Sequence, residues 1–259
     1  MALHPFHMVE KSPWPFLCSF SAFSLMMNLV VFMHQKENLY LILNLTMLFF
    51  VSYQWWRDIT REALLQGFHS KVVETGLKWG MILFILSEVM FFFSFFWTYF
   101  HMLLSPDLDL GLEWPPTFIL SFNPYTIPLL NTIILLSSGV TLTCSHHYLL
   151  VKNFSGAFNF LLISILLGLY FSLLQFFEYQ NSFFSMSDSV FGSIFFLATG
   201  FHGLHVLLGS SFLIVNLARM NKGQLSANHH ISFEASAWYW HFVDVVWLFL
   251  YFFVYFWIY

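Results

Sequence analysis

The chain has 259 residues, of which 59% are hydrophobic and only 8% are Asp, Glu, Lys or Arg. A soluble domain carries roughly 25% charged residues, so this composition excludes an ordinary water-soluble protein and indicates one surrounded by lipid. The formal net charge is -4, and no basic tract offers a binding surface for nucleic acid. Cys18 and Cys144 are the two cysteines, too few for a disulfide framework or a thiolate metal centre.

Seven stretches are apolar enough to cross about 30 Å of hydrocarbon, which takes about 20 helical residues. Because an apolar segment in lipid must satisfy its own backbone hydrogen bonds, we expect all seven to be helices. In chain order they cover residues 15–33, 39–56, 79–104, 127–150, 156–177, 190–216 and 237–259. The residues therefore predict an all-α membrane protein with seven transmembrane helices.

The polar stretch after the second span begins WWRDITREALLQGFH. Arg57, Asp58 and Arg61 lie three and four residues apart, a spacing that places them on one helical face. We expect the second helix to continue past the membrane surface.

Basic residues are unevenly divided among the segments that connect the spans. Seven spans place alternate connections on opposite sides of the membrane. The side that includes the N-terminus carries Lys11, Arg57, Arg61, Lys71, Lys78, Lys152, Arg219 and Lys222. The opposite side carries only Lys36. Lys and Arg collect on the inner side of a membrane, so we predict an inner N-terminus and an outer C-terminus.

Two acidic residues lie within predicted spans, where a charge is costly and must face protein or a wet cavity. Glu88 lies near the midplane of the third span. It is either a proton-handling or gating carboxyl or a protonated acid bonded to a neighbouring helix, and the sequence leaves both readings open. Asp244 has His241 three residues before it on the same face, so we expect a local partner for this buried acid.

The sixth span carries His202 and His205 on one face, which raises the question of a metal or haem. Two bis-histidine haems in a helical bundle need histidines paired across helices, usually with two on each helix about four turns apart. The two histidines of this span are only one turn apart. We therefore predict buried histidines bonded to neighbours, with no metal ligand and no catalytic residue. The similar depth of Glu88 and His202 suggests a hydrogen bond between them.

Two further histidine pairs, at residues 146–147 and 229–230, lie near the inner membrane surface. Adjacent residues of a helix point in different directions. We do not expect either pair to bind a metal.

Several long strings, in order along the whole chain, resemble subunit III of the haem-copper cytochrome c oxidases. They are SPWP at 12–15, YQWWRD at 53–58, GMILFILSEVMFF at 80–92, WPP at 114–116, PLLNT at 128–132, LLQFFEY at 173–179, ATGFHGLHVLLG at 198–209 and AWYWHFVDVVWLFLY at 237–251. Chance similarity between apolar helices would not reproduce the polar positions. The chain is similar to this family from end to end.

The resemblance implies one seven-helix membrane domain over residues 1–259 that carries no redox centre. Helices 1 and 2, at about 15–66, would splay from helices 3 to 7, at about 72–259. The cleft between them would hold phospholipids of the cardiolipin or phosphatidylglycerol type, with the Glu88 carboxyl facing it. The residues implied around the lipid head groups are Trp56, Arg61, Glu62, His69, Arg219 and Lys222. Relatives often carry a second histidine where this chain has Phe68, so head-group contact there depends on His69 alone.

The resemblance also implies a place in the respiratory electron transport chain. The chain would contact mainly subunit I, beside other oxidase subunits that hold the haem and copper. It would support proton uptake and turnover stability of subunit I, with oxidase activity belonging only to the complex. The implied location is the mitochondrial inner membrane, with the N-terminus in the matrix and the C-terminus in the intermembrane space, or alternatively a bacterial plasma membrane.

Two other functions fit some of the residues. The histidines would suit a b-type haem redox protein, and Glu88 with Asp244 would suit a proton-coupled transporter. The transporter lacks support from paired repeats or broken helices. A Soret band from the isolated chain would identify the first, and substrate uptake by liposomes that contain only this chain would identify the second.

Overall fold

The computed structural model describes residues 5–106, 108 and 111–259. The described residues form seven helices, each long and apolar enough to cross a membrane. They are α1 (Trp14–Gln35), α2 (Leu39–Arg61), α3 (Lys71–Leu104), α4 (Ile127–Leu150), α5 (Phe154–Gln180), α6 (Val190–Asn221) and α7 (Ile231–Leu250). The predicted all-α, seven-helix membrane protein is confirmed.

Several helices extend beyond the apolar spans predicted from the sequence. The second helix continues past the predicted limit as a π-helical turn over Glu62–Gln66, as its polar pattern indicated. The third begins at Lys71 instead of residue 79, and the seventh begins at Ile231 instead of residue 237. An apolar run marks only the helical part that needs lipid, whereas these added turns carry charged residues.

Local capping chemistry sets several helix ends. Asn153 and Ser189 accept hydrogen bonds through their side chains from the backbone N–H groups of Gly156 and Gly192, at the starts of α5 and α6. Such side chains satisfy donors that a helix leaves unpaired in its first turn. Gly67 ends the π-helical turn after α2 with φ of 69°, a left-handed conformation that glycine adopts without a Cβ penalty.

The chain divides into two compact units, Met1–Leu77 and Lys78–Tyr259, and the boundary falls inside α3. In the first unit α1 and α2 pack against each other. Ser24 Oγ donates a hydrogen bond to Asn44 Oδ1 (2.9 Å) between the two helices. Trp14 Nε1 donates to Asp58 Oδ2 (2.7 Å), which ties the start of α1 to the last turns of α2.

In the second unit α4, α5, α6 and α7 pack closely around buried aromatic side chains. Trp240 of α7 is fully buried, and its indole N–H donates to Ser138 Oγ of α4 at 2.9 Å. The ring lies against Gly168 of α5 and Gly209 of α6, where a Cβ would come within 2.4 Å and 2.9 Å of indole carbons. The missing side chains of these two glycines therefore create the space that the indole fills.

Helix α3 joins the second unit through aromatic contacts. Phe91 packs edge-on against Phe201 of α6 with ring centroids 5.0 Å apart. The hydroxyl of Tyr99 donates to the Phe253 carbonyl oxygen at 2.8 Å. These contacts fix the face of α3 that turns toward α6 and toward the π-helical turn Tyr251–Phe256, which follows α7. Glu88 lies on the same face.

The loop before α6 contains an acidic group whose state depends on pH. Asp188 accepts hydrogen bonds from the backbone N–H of Ser185 (2.7 Å) and from its hydroxyl (2.9 Å). These bonds lower the pKa of Asp188 below its ordinary value of 3.8. The ionised form therefore stabilises the loop above the ordinary value, and that stability is lost as pH falls through the lowered pKa.

We expect hydrogen exchange at the Ser185 amide, corrected for its intrinsic pH dependence, to lose protection as pH falls below about 4. The Asp188→Asn variant should show weaker protection at neutral pH and no such transition. Equal protection of the amide in both proteins across this range would contradict the assignment.

Candidate functional site

Glu88 and His205 form a hydrogen-bonded pair between α3 and α6. Glu88 Oε2 lies 2.9 Å from His205 Nε2, with 23% of the glutamate side chain and 10% of the histidine side chain exposed. The other ring nitrogen, Nδ1, lies 2.6 Å from the carbonyl oxygen of Phe201, one turn earlier on α6. Both nitrogens of this histidine are therefore engaged.

The Phe201 contact determines how many protons the pair holds. A carbonyl oxygen only accepts hydrogen bonds, so His205 Nδ1 carries a proton and donates it. The Glu88 bond then needs one further proton, either on the carboxyl, which donates to Nε2, or on Nε2, which donates to a carboxylate. In both cases the pair binds one exchangeable proton and is neutral overall.

Aromatic rings enclose the histidine of this pair. Phe92 packs edge-on against the His205 ring with centroids 5.1 Å apart, and Tyr239 stacks on it at 6.2 Å. Few polar groups compete for the proton in such surroundings, while the exposed fraction of Glu88 gives the carboxyl access to the surface of the unit. The arrangement can bind a proton and exchange it.

The predicted hydrogen bond between Glu88 and His202 was wrong. His202 is buried, and its Nε2 donates to the Val243 carbonyl oxygen of α7 at 3.2 Å. Its ring also packs on Trp247, with centroids 5.1 Å apart. His202 and His205 share a helical face one turn apart, and it is the later residue that meets Glu88.

Asp244 has the local partner that the sequence predicted. His241 Nδ1 lies 3.7 Å from Asp244 Oδ2, and the carboxylate side chain is only 7% exposed. Gly139 of α4 approaches closely, because a Cβ there would lie 2.7 Å from the same oxygen. The pair therefore lies at a tight contact between α4 and α7.

Glu178 of α5 is a buried acid that the sequence did not predict. It is 1% exposed, and Glu178 Oε1 accepts a hydrogen bond from the Tyr255 hydroxyl at 2.6 Å. The fifth span was predicted to end at residue 177, which placed this acid outside the membrane. The polar pattern of the helix end gave no sign that α5 continues to Gln180.

Four of the predicted head-group residues lie in the unit Met1–Leu77, where Asp58 organises the polar end of α2. Asp58 Oδ1 accepts from Arg57 Nε (3.0 Å) and Nη2 (2.9 Å), and Arg61 Nη1 lies 3.6 Å from the same oxygen. Two guanidinium groups thus share one carboxylate, which leaves a formal charge of +1 (2 − 1). The Arg61 side chain is 58% exposed and can bind an anion.

The other three predicted residues of this unit lie on the same stretch of chain. Trp56 is exposed, and Glu62 Oε2 pairs with His7 Nε2 at 3.2 Å. The His7 ring also packs on the rings of His69 and Phe68, with centroids 5.8 Å and 5.6 Å away. His7 could not be predicted from the sequence, because no sequence pattern links the N-terminal segment to residues more than fifty positions later.

The remaining two predicted head-group residues lie near the end of α6 in the unit Lys78–Tyr259. Arg219 Nη1 donates to Ser232 Oγ of α7 at 2.6 Å, and Ser232 Oγ donates to Asn216 Oδ1 at 2.7 Å. Lys222 follows the last turn of α6 and is exposed. Arg219 is held by protein contacts, whereas Lys222 is accessible.

The comparisons with known proteins agree on one family. Residues 4–259 match the sequence model of the family described as cytochrome c oxidase subunit III. The chain belongs to the cytochrome c oxidase subunit III family. Family membership supports the predicted function as an oxidase subunit. It does not support the alternatives of a b-type haem protein or a proton-coupled transporter.

Curated relatives match the chain over nearly their whole length, and each carries the name cytochrome c oxidase subunit 3. The protein of Rhipicephalus sanguineus is 56% identical over 257 residues, which cover 99% of this chain and 100% of the relative. That of Drosophila melanogaster is 53% identical, covering 98% and 97%. That of Paracentrotus lividus is 51% identical with the same coverage. Each of these alignments covers nearly all of both proteins.

Proposed function

We propose that this chain is a non-catalytic core subunit of a respiratory cytochrome c oxidase, and that oxidase activity belongs to the complex. The observation that carries the proposal is the match of residues 4–259 to the subunit III family. In this role the chain contacts mainly subunit I, and the haem and copper lie in partner subunits. Large apolar side chains exposed along the helices supply the surface for lipid and for that subunit.

The second element of the proposal is phospholipid binding, with cardiolipin or phosphatidylglycerol as the type of lipid. The cluster of Arg57, Asp58 and Arg61 keeps a positive charge beside the exposed ring of Trp56. Guanidinium groups suit phosphate geometry, and tryptophan favours the membrane interface. Lys222 supplies a further accessible cation, while Glu62 and His69 border the site through their contacts with His7. In this proposal each of these groups holds lipid head groups on its own unit.

The third element is proton handling by Glu88. The pair with His205 binds one exchangeable proton among aromatic rings. Such a carboxyl would support proton uptake by subunit I.

The proposed location is the mitochondrial inner membrane, with the N-terminus in the matrix and the C-terminus in the intermembrane space. The excess of Lys and Arg on the segments of one side supports this orientation. A bacterial plasma membrane is the alternative for the same topology.

The test of the proposed role is depletion of this chain from the purified oxidase. The depleted complex should keep its haem and copper absorption and its initial turnover, and should then inactivate over fewer turnovers than the intact complex. Re-addition of the chain with phospholipid should restore its lifetime. Loss of the haem spectrum on depletion would overturn the proposed role.

The lipid element makes a separate prediction for Arg61→Gln. Removal of one cation near a membrane surface costs about 1 kcal/mol of binding to an anionic lipid, or about fivefold in affinity. Native mass spectrometry of the complex should show correspondingly less retained cardiolipin or phosphatidylglycerol. Lys36→Gln removes a cation from the opposite side and is the matched control. Equal lipid retention in the two variants would count against a head-group site at Arg61.

A further inference from the structure

Three metal-ligating side chains meet at one end of the unit Lys78–Tyr259. His146 lies in the last turns of α4, His230 immediately precedes α7, and Glu234 lies in its first turn. His146 Nε2 and His230 Nε2 are 3.2 Å apart, and His230 Nε2 is 3.7 Å from Glu234 Oε1. One ligand atom from each residue lies within 4.8 Å of the others. The cluster takes one histidine from each of two adjacent pairs that the sequence did not connect.

These separations suit a tetrahedral ion. Zinc binds imidazole nitrogen at about 2.0–2.1 Å and carboxylate oxygen at about 2.0–2.2 Å, so neighbouring ligands of a tetrahedron are about 3.3–3.5 Å apart. The observed 3.2 Å and 3.7 Å bracket that range. The third separation, between His146 and Glu234, is within 4.8 Å, so a three-ligand site requires the Glu234 carboxylate to move toward His146.

The hydrogen bonds of His230 orient its ring for such a site. Its Nδ1 lies 3.0 Å from the carbonyl oxygen of Ser226, which only accepts, so Nδ1 carries the proton. In the neutral ring the lone pair therefore lies on Nε2, which faces His146. A backbone carbonyl that fixes the tautomer in this way is a common outer partner of metal-binding histidines.

Lys78 orients the carboxylate of Glu234. Lys78 Nζ lies 2.6 Å from Glu234 Oε2, which leaves Oε1 directed toward the histidines. The ammonium group stabilises the ionised carboxylate that a metal needs. Its positive charge also opposes a cation, so Lys78 should limit the affinity of the site.

We propose that His146, His230 and Glu234 form a binding site for a divalent first-row transition ion, with Zn²⁺ as the best match. Two imidazoles with one carboxylate suit Zn²⁺, whereas Mg²⁺ and Ca²⁺ prefer oxygen ligands. Three protein ligands leave the fourth position of a tetrahedron for water. The site is separate from the lipid and proton roles proposed above.

The test uses the intact oxidase complex, washed with a chelator and titrated with Zn²⁺. Bound zinc is counted by mass spectrometry of the metal, and its position is read from anomalous scattering at the zinc edge. We expect one zinc in the wild-type complex that is absent or bound at least about 10-fold more weakly in His146→Asn. Metal sites elsewhere in the complex are the same in both proteins and cancel in the difference.

Three further variants separate the loss of a metal ligand from the loss of structure. His147→Asn changes the exposed neighbouring histidine and should bind zinc as the wild type does. Glu234→Gln removes a ligand together with the Lys78 ion pair, while Lys78→Gln removes the ion pair and keeps all three ligands. Zinc binding should weaken in the first of these variants and stay equal or tighten in the second.

Equal zinc affinity in the wild type and His146→Asn would overturn the site. So would an anomalous map without a peak among the three residues at saturating zinc. Displacement of the bound zinc by Mg²⁺ at comparable concentration would also overturn it. In the first two of those cases the two histidines share only a proton.

Discussion

We expect Trp240→Ala to lower the free energy of unfolding of the unit Lys78–Tyr259 by about 3 kcal/mol. Deletion of a buried tryptophan costs about 3–5 kcal/mol because the surrounding helices close the cavity only in part. The lower end applies here because helices in lipid gain from packing and not from the removal of apolar surface from water. Trp240 is fully buried and contacts α4, α5 and α6, so its loss weakens three contacts.

The measurement is the thermal midpoint of the oxidase complex in mild detergent, which should fall by about 6–12 °C for a loss of this size. Trp79→Ala is the matched control, because that ring is 61% exposed. A similar midpoint for Trp240→Ala and the wild type would show that the indole does not support the bundle.

Overpacking beside Trp240 should also destabilise the unit. Gly168→Ala places a methyl group within 2.4 Å of the Trp240 ring, and overpacking of this kind costs about 1–3 kcal/mol. In the Trp240→Ala background the same methyl enters the cavity, so its cost should be smaller. The two changes are therefore expected to be non-additive, and strict additivity would contradict the contact.

The sequence predicted seven helices because lipid imposes a length and an apolar composition on each one. It could not predict which faces pack together, because residues such as Phe91 and Trp97 are equally apolar whether they meet protein or lipid. Phe91 packs against Phe201, whereas Trp97 is exposed. Apolar composition therefore identifies each membrane helix and leaves its orientation undetermined.

The error at Glu88 has a specific physical cause. His202 and His205 lie on one face and differ in depth by about 4.5 Å, at 1.5 Å per residue. The third span predicted from the sequence begins at residue 79, whereas α3 begins at Lys71. Helix ends predicted from sequence are uncertain by a few residues. The predicted depth of Glu88 in the membrane therefore cannot show which of two histidines one turn apart it contacts.

Other contacts had no signal in the sequence at all. The pairs His7 with Glu62 and Tyr255 with Glu178 join residues that lie 55 and 77 positions apart (62 − 7 and 255 − 178). Periodicity connects residues only within one helix. Polar contacts between segments far apart in the chain depend on packing, and these include the contacts of Glu62 and of the buried acid Glu178.

The shared proton of Glu88 and His205 makes the last prediction, for difference infrared spectra of the oxidase during redox cycling. Glu88→Gln should remove the carboxyl or carboxylate band of this residue and so identify it. His205→Leu should shift that band, because the carboxyl loses the hydrogen bond that joins it to His205 Nε2 at 2.9 Å. His202→Leu should leave the band in place, because His202 bonds the Val243 carbonyl oxygen instead. A band that moves in the His202 variant and stays in the His205 variant would reverse the assignment of the proton partner.

If the Glu88 carboxyl also supplies protons for turnover, Glu88→Gln should shorten the active life of the complex while its haem spectrum stays unchanged. The glutamine amide can still donate a hydrogen bond to His205, but it has no acidic proton to exchange.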